Sequence, residues 1–170
     1  METPTPTPAP TPRPTPAIKF LVGISRTGEM LRVSLYAYDG VVRNCADRLD
    51  QGSVKADPAT HDMSRSDAIK QAKAEKDTYI VWLQLRANEM TGNSSVYPDL
   101  SDVYIEYHVY APVTGKQETQ GNTYPEAYRS KTIRLPTPNS QGDYYLNQAA
   151  RGAAERILDH FHVRSINPMP

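Results

Sequence analysis

The stretch TYIVWLQLR, residues 78–86, is the most strand-like run in the chain. Side chains alternate between the two faces of a sheet, so the two parities of this run are judged separately. One parity suits a hydrophobic core and consists of Tyr79, Val81, Leu83 and Leu85. The other combines a large aromatic ring, an amide and a guanidinium, in Ile80, Trp82, Gln84 and Arg86. The first parity predicts a buried face, and the second leaves open what the opposite face contacts.

The segment before this strand predicts a buried strand followed by a long helix. Residues 18–24 carry apolar side chains at every second position, which indicates a buried strand. An apolar stripe at helical spacing comes next, formed by Leu31, Leu35, Tyr38, Val42, Cys45 and Leu49. Thr27 is the predicted N-cap of this helix, and Gly52 is its predicted C-terminal stop.

Two more helices and three more strands follow from local patterns. SVKAD at 53–57 predicts a short strand, and Ser64 followed by Asp67 predicts a capping box at the start of a second helix. The strands predicted over 102–110 and 115–124 are joined by the turn APVTGK, which favours a hairpin. A final helix has an apolar stripe rich in small residues, consisting of Leu146, Ala149, Ala153, Ile157 and Phe161.

The resulting fold class is α/β (α+β), with a mixed five-stranded sheet and the element order β-α-β-α-β-β-β-α. Early strand–helix–strand units require parallel pairing with right-handed crossovers, whereas the later hairpins require antiparallel strands. We expect the helices to lie mainly on one face of the sheet. Three helices suffice to cover that face, which would leave the second face open.

The chain is divided into a tether, one domain and a tail. Residues 1–16 hold seven of the 15 prolines in alternation with threonine, which predicts an extended, disordered spacer. Residues 17–164 are predicted to form a single α/β domain, and residues 165–170 a flexible tail. The spacer is typical of a link to a membrane anchor or signal. We therefore expect a periplasmic or envelope location if an upstream signal was removed, and a cytoplasmic one if Met1 is the native start.

Composition argues against several classes of function. Lys plus Arg and Asp plus Glu both number 19, so the basic surface expected of a nucleic-acid-binding protein is not predicted. No apolar run approaches the roughly 20 residues that span a bilayer, so direct membrane insertion is not expected, although the N-terminal spacer is compatible with a tether. The single cysteine, Cys45, excludes an intramolecular disulfide and a cysteine-based zinc cluster.

No motif in the sequence carries a named chemistry, so we predict no catalytic residues, no cofactor and no metal site. His160 and His162 form the only close histidine pair, and two histidines at this spacing point apart on a regular helix. His61 precedes Asp62 in a loop, but no nucleophile is marked beside them. Cys45 lies on an apolar stripe and is interpreted as a small buried hydrophobic residue.

The order of elements over residues 64–124 resembles that of TolB N-terminal-like and CsgG-like α/β domains of bacterial envelopes. The resemblance rests on the helix and strand of SRSDAIKQAKAEKDTYIVWLQL, the strand VYIEYHVYAP and the turn segment TGKQETQG. AARGAAERILDHF is similar to the closing helix of those domains, and the likeness extends over roughly residues 18–161. It implies a periplasmic assembly or scaffolding domain without catalytic residues.

The second face of the sheet is the candidate functional surface. If helices cover only one face, the other presents an aromatic and polar surface that also includes Ile80. We predict contact with a protein partner or a second copy through Trp82, Gln84, Arg86, Tyr104, Glu106, His108 and Tyr110. Two alternatives stay open at this point, namely an ordinary solvated sheet face and a small-molecule pocket.

A hydrolase or transferase is the alternative function. Its site would be assembled from three loops, at residues 57–63, 88–101 and 136–143, whose length and polarity are its only support. A cleft with converging ionisable groups at the loop tips would favour the enzyme. A flat surface rich in Tyr and Trp would favour the interaction domain.

Overall fold

The structure is a computed structural model that describes residues 18–27, 33–87, 103–125 and 138–164. Its elements in chain order are β1 (Ile18–Ser25), α1 (Leu35–Leu49), β2 (Val54–Pro58), α2 (Arg65–Ala74), β3 (Thr78–Ala87), β4 (Val103–Tyr110), β5 (Gln117–Thr123) and α3 (Pro138–His160). The predicted fold class and the predicted order of elements are confirmed. The tether over 1–16 and the tail over 165–170 lie outside the described residues.

The sheet has the strand order β2-β1-β3-β4-β5. β1 pairs in parallel with both β2 and β3, whereas β3 and β4, and β4 and β5, pair antiparallel. The sheet is therefore mixed, as predicted. The register places Leu83 of β3 opposite Ile24 of β1 and Tyr107 of β4, so the central strand is flanked by core side chains on this face.

α1 and α3 pack side by side on one face of the sheet. Their shared core includes Leu83 and Ile105 from the strands and Leu49 and Ile157 from the helices, each with no exposed surface. α3 approaches closely because its inward residues are small, namely Ala149, Ala150, Ala153 and Ala154. Arg48 of α1 is ion-paired with Glu155 of α3, which joins the two helices.

α2 lies on the opposite face. The helices therefore lie mainly on one face, as predicted, but the expectation that three helices cover that face is wrong. α2 forms a second core with the loop before it and with β3 and β4, made of Met63, Ala68, Ala72, Ile80, Trp82 and Tyr110. The reason is the strand order. The chain crosses from β1 to β2 in one direction and from β2 past β1 to β3 in the other, and right-handed crossovers in opposite directions place their helices on opposite faces.

The helix starts show one wrong cap and one correct cap. α1 is capped by Ser34, whose hydroxyl oxygen accepts from the backbone nitrogen of Ala37, and not by Thr27. Leu35 is 63% exposed, so the buried stripe begins at Ala37 and Tyr38. At α2 the predicted capping box is confirmed, because the Ser64 and Asp67 side chains each accept from the other residue's backbone nitrogen.

The end of α3 is a Schellman motif with a histidine in the left-handed position. The backbone nitrogen of Val163 donates to the Leu158 carbonyl at 2.9 Å, and that of His162 donates to the Asp159 carbonyl at 3.1 Å. His162 has a φ of 57°, a conformation that glycine adopts without steric cost. α3 therefore ends at His160, and His162 belongs to the turn that stops it.

We expect His162→Gly to raise the free energy of unfolding by about 0.5–1 kcal/mol, because glycine removes the side-chain clash of the left-handed position. Part of that gain is offset by the greater freedom of glycine in the unfolded chain. Urea denaturation followed by circular dichroism measures the difference. His160→Gly is the control, since His160 is the last helical residue and glycine there is expected to destabilise. A destabilised His162→Gly variant would contradict the assignment.

Candidate functional site

The second face of the sheet has a covered part and an open part. The covered part lies beneath α2, where Trp82 is 4% exposed and its Nε1 donates to the Met63 carbonyl oxygen at 2.8 Å. Gly23 on neighbouring β1 permits this packing, because a Cβ there would lie 2.6 Å from the Sδ of Met63. The indole is thus enclosed by its own molecule.

Three of the seven predicted contact residues are consequently not on a free surface. Trp82, His108 and Tyr110 are all buried, with exposures of 4%, 3% and 2%. α2 packs over Trp82 of β3 and Tyr110 of β4, and the His108 ring lies beside both of those rings. The prediction of surface contacts by these three residues is wrong, since α2 packs over the face that the sequence left open.

The other four predicted residues lie together on the part of the face beyond α2. Gln84, Arg86, Tyr104 and Glu106 are all half-buried, and β3–β4 pairing places Gln84 opposite Glu106 and Arg86 opposite Tyr104. Tyr124 adjoins them with 55% exposure, and its ring centroid lies 5.1 Å from that of Tyr104. These five residues, Gln84, Arg86, Tyr104, Glu106 and Tyr124, are called the open patch.

Tyr124 ends the strand predicted over 115–124, but the predicted contact surface did not extend to that strand. The available signal was the hairpin register. β4–β5 pairing joins Glu106 to Asn122, so Tyr124, two positions after Asn122, falls beside Tyr104 on the same face. An aromatic pair across neighbouring strands was therefore readable once the register of the hairpin was known.

A chain of hydrogen bonds runs along this face from the open patch to α2. The Arg86 guanidinium is ion-paired with Glu106, and the other carboxylate oxygen of Glu106 lies 2.9 Å from Nε2 of His108. Burial raises the pKa of Glu106, but hydrogen bonds from His108 and Arg86 outweigh it and hold that pKa below the ordinary value. Glu106 is therefore an ionised, ion-paired carboxylate and does not have the raised pKa of a general acid.

The loop 57–63, one of the three loops proposed for an enzyme, is held by structural contacts. The Oδ1 atom of Asp62 accepts from the backbone nitrogen of Arg26 at 2.7 Å. Burial and, secondarily, the charge of Asp62 raise the pKa of Tyr38. His61 is exposed. The loop 88–101 lies outside the described residues, and the stretch predicted as a loop over 136–143 is helical from Pro138 onward.

Cys45 is enclosed in the core between α1 and the sheet, with no exposed surface. Burial raises the pKa of its thiol to about 12. A nucleophilic cysteine needs exposure and a lowered pKa, so this thiol is suited to packing. Within the described ranges, no group of three or more His, Cys, Asp or Glu side chains is placed to hold a metal ion.

The described part of the chain contains no helix with the length and apolar character required to cross a bilayer. No family model matches the chain, and no curated protein matches it either.

Solved structures match with low similarity. A dodecamer of a PelC variant from Paraburkholderia phytofirmans is 12% identical, with a TM-score of 0.41, and the match covers 92% of this chain and 96% of that one. A protein of Xanthomonas campestris assigned to DUF330 is 12% identical with a TM-score of 0.40, covering 88% and 90%. A neuraminyllactose-binding hemagglutinin homolog from Helicobacter pylori is 10% identical with a TM-score of 0.40, covering 90% of each chain. Similarity at this level supports no inference about the function of this chain.

Proposed function

We propose that this chain is a non-catalytic domain of the bacterial envelope that contacts another protein, or a second copy of itself, through the open patch. The observation that carries the proposal is the aromatic pair of Tyr104 and Tyr124 beside Arg86, whose side chain is 40% exposed. Tyr and Arg are enriched among the residues that dominate the binding energy of protein interfaces. The envelope location is supported by the TolB-like and CsgG-like pattern and by the Thr/Pro-rich N-terminal segment.

The arrangement of the patch favours contact over catalysis. The Glu106 carboxylate is ion-paired with Arg86, and its pKa is lowered, so it is a fixed charge at neutral pH. The two tyrosine rings are tilted by 32° to each other at one edge of this charged pair. An aromatic surface next to a fixed ion pair supplies both apolar area and directional hydrogen bonds to a partner.

Photo-crosslinking in cells tests the proposal. A photoreactive phenylalanine replaces Tyr124 in one variant and Tyr36 in the control, because Tyr36 is 86% exposed but lies on α1, on the other side of the molecule. We expect a discrete crosslinked product, identified by mass spectrometry, from position 124 and none from position 36. Equal crosslinking from both positions, or none from position 124, would overturn the proposal.

Once the product is identified, affinity measures the contribution of the patch. We expect Tyr124→Ala to weaken binding to that protein at least tenfold, which corresponds to about 1.4 kcal/mol. Titration by calorimetry, or sedimentation equilibrium if the partner is a second copy, measures the change. Tyr36→Ala is the matched control and is expected to bind as the wild type does.

A further inference from the structure

His108 is a titratable side chain buried inside the second face of the sheet. It is 3% exposed, and its ring centroid lies 5.4 Å from that of Trp82. Its ring is nearly parallel to that of Tyr110, with an interplanar angle of 4° and a centroid distance of 6.2 Å. Both ring nitrogens face oxygen atoms: Nε2 lies 2.9 Å from Oε1 of Glu106, and Nδ1 lies 2.8 Å from Oε1 of Gln117.

The orientation of the Gln117 amide follows from its other contacts. Its Nε2 donates to Oε1 of Gln120 at 3.0 Å, and its Oε1 also lies 3.5 Å from Nη2 of Arg65. The amide oxygen is therefore turned toward His108. A neutral imidazole has a single N–H and donates to one oxygen only, whereas the imidazolium donates to both.

The charged and polar groups around the ring come from four elements of the fold. β4 contributes the carboxylate of Glu106 and the hydroxyl of Tyr110, and β3 contributes Arg86, which is already ion-paired with Glu106. α2 contributes Arg65, whose Nε donates to the Tyr110 hydroxyl at 2.9 Å. From β5, the group that contacts the ring is the neutral amide of Gln117.

We propose that His108 is a pH-sensitive clasp that joins β4 to β5 and to the start of α2. When protonated, the ring donates to Glu106 and to Gln117 at once. When it loses a proton, Nε2 keeps its hydrogen toward the charged carboxylate, and Nδ1 becomes an acceptor facing an oxygen. The Gln117 amide must then rotate to present its NH2 group, which breaks its hydrogen bond to Gln120 and turns its oxygen away from Arg65.

This clasp does not depend on the proposed function, so the isolated chain tests it. A pH titration by NMR follows the ring nitrogens of His108, the side-chain amide of Gln117 and the indole N–H of Trp82. We expect the Gln117 amide and the Trp82 indole to change with the same midpoint as the His108 ring. A Gln117 amide that stays constant through the His108 transition would overturn the proposal.

Two substitutions at Gln117 are expected to move the His108 midpoint in opposite directions. Gln117 is half-buried at the start of β5, and we expect both variants to fold. Gln117→Glu places a carboxylate at Nδ1 and is expected to move the His108 midpoint up by about one pH unit or more relative to the wild type. Gln117→Met removes the acceptor and is expected to move it down. The exposed His160 is the internal control, with the same midpoint in all three proteins. Identical His108 midpoints in the three proteins would also overturn the clasp.

Discussion

Trp82→Ala is expected to lower the free energy of unfolding by about 3–5 kcal/mol, the range for removal of a buried aromatic side chain. The indole is 4% exposed and packs with Met63 and with Ala68 and Ala72 of α2, so its loss leaves a cavity under the helix. The Met63 carbonyl also loses its donor, the indole N–H. Urea denaturation followed by circular dichroism measures the change, because Trp82 is the only tryptophan and fluorescence would be lost.

Two controls separate the packing of the indole from its hydrogen bond. Trp82→Phe keeps a large ring but removes the donor, and we expect a loss of about 1–3 kcal/mol, including the unsatisfied carbonyl. Gln84→Ala changes the next residue of the same parity on β3, which is half-buried, and is expected to cost less than about 1 kcal/mol. If Trp82→Ala folded with an unchanged free energy of unfolding, α2 would not pack on this face.

The sequence predicted the elements and the class of the sheet because these depend on local periodicity. Alternation over 78–86 identified β3, and Ser64 with Asp67 identified the start of α2. The face that α2 covers depends on strand order, which no local pattern encodes. Once β1 lies between β2 and β3, the handedness of the crossovers fixes α2 on the face opposite α1.

The candidate site was predicted only in part, because the sequence pattern does not encode which face α2 covers. Trp82, His108 and Gln84 share a face, and polar alternation alone does not distinguish a solvated half of that face from a half buried under a helix. Ile80 and Trp82 at consecutive positions of this parity were the available signal, since two large apolar side chains indicate a local core. The capping error concerns the helix boundary, because Thr27 and Ser34 both precede residues at helical spacing and α1 begins at Leu35, after Ser34.

Buried Cys45 is expected to make the folded chain lose stability in alkaline solution. Burial raises the pKa of this thiol from 9.0 to about 12, so between these values the unfolded chain releases the proton while the folded chain keeps it. The folded state then binds more protons than the unfolded state, and the free energy of unfolding falls as pH rises. The contribution is fully present below pH 9 and is lost at about 1.4 kcal/mol per pH unit above it.

Cys45→Ala tests this expectation because it removes the titrating group and leaves the rest of the core in place. At pH 7 we expect the variant to be less stable by about 1 kcal/mol, owing to the small cavity. Burial also raises the pKa values of Tyr38 and Tyr107, but these groups titrate in both proteins and cancel in the difference. Urea denaturation from pH 8 to pH 11 should show the two stabilities converging and then crossing as the wild type loses its advantage. Parallel curves over that range would mean that the thiol ionises as readily in the folded core as in the unfolded chain.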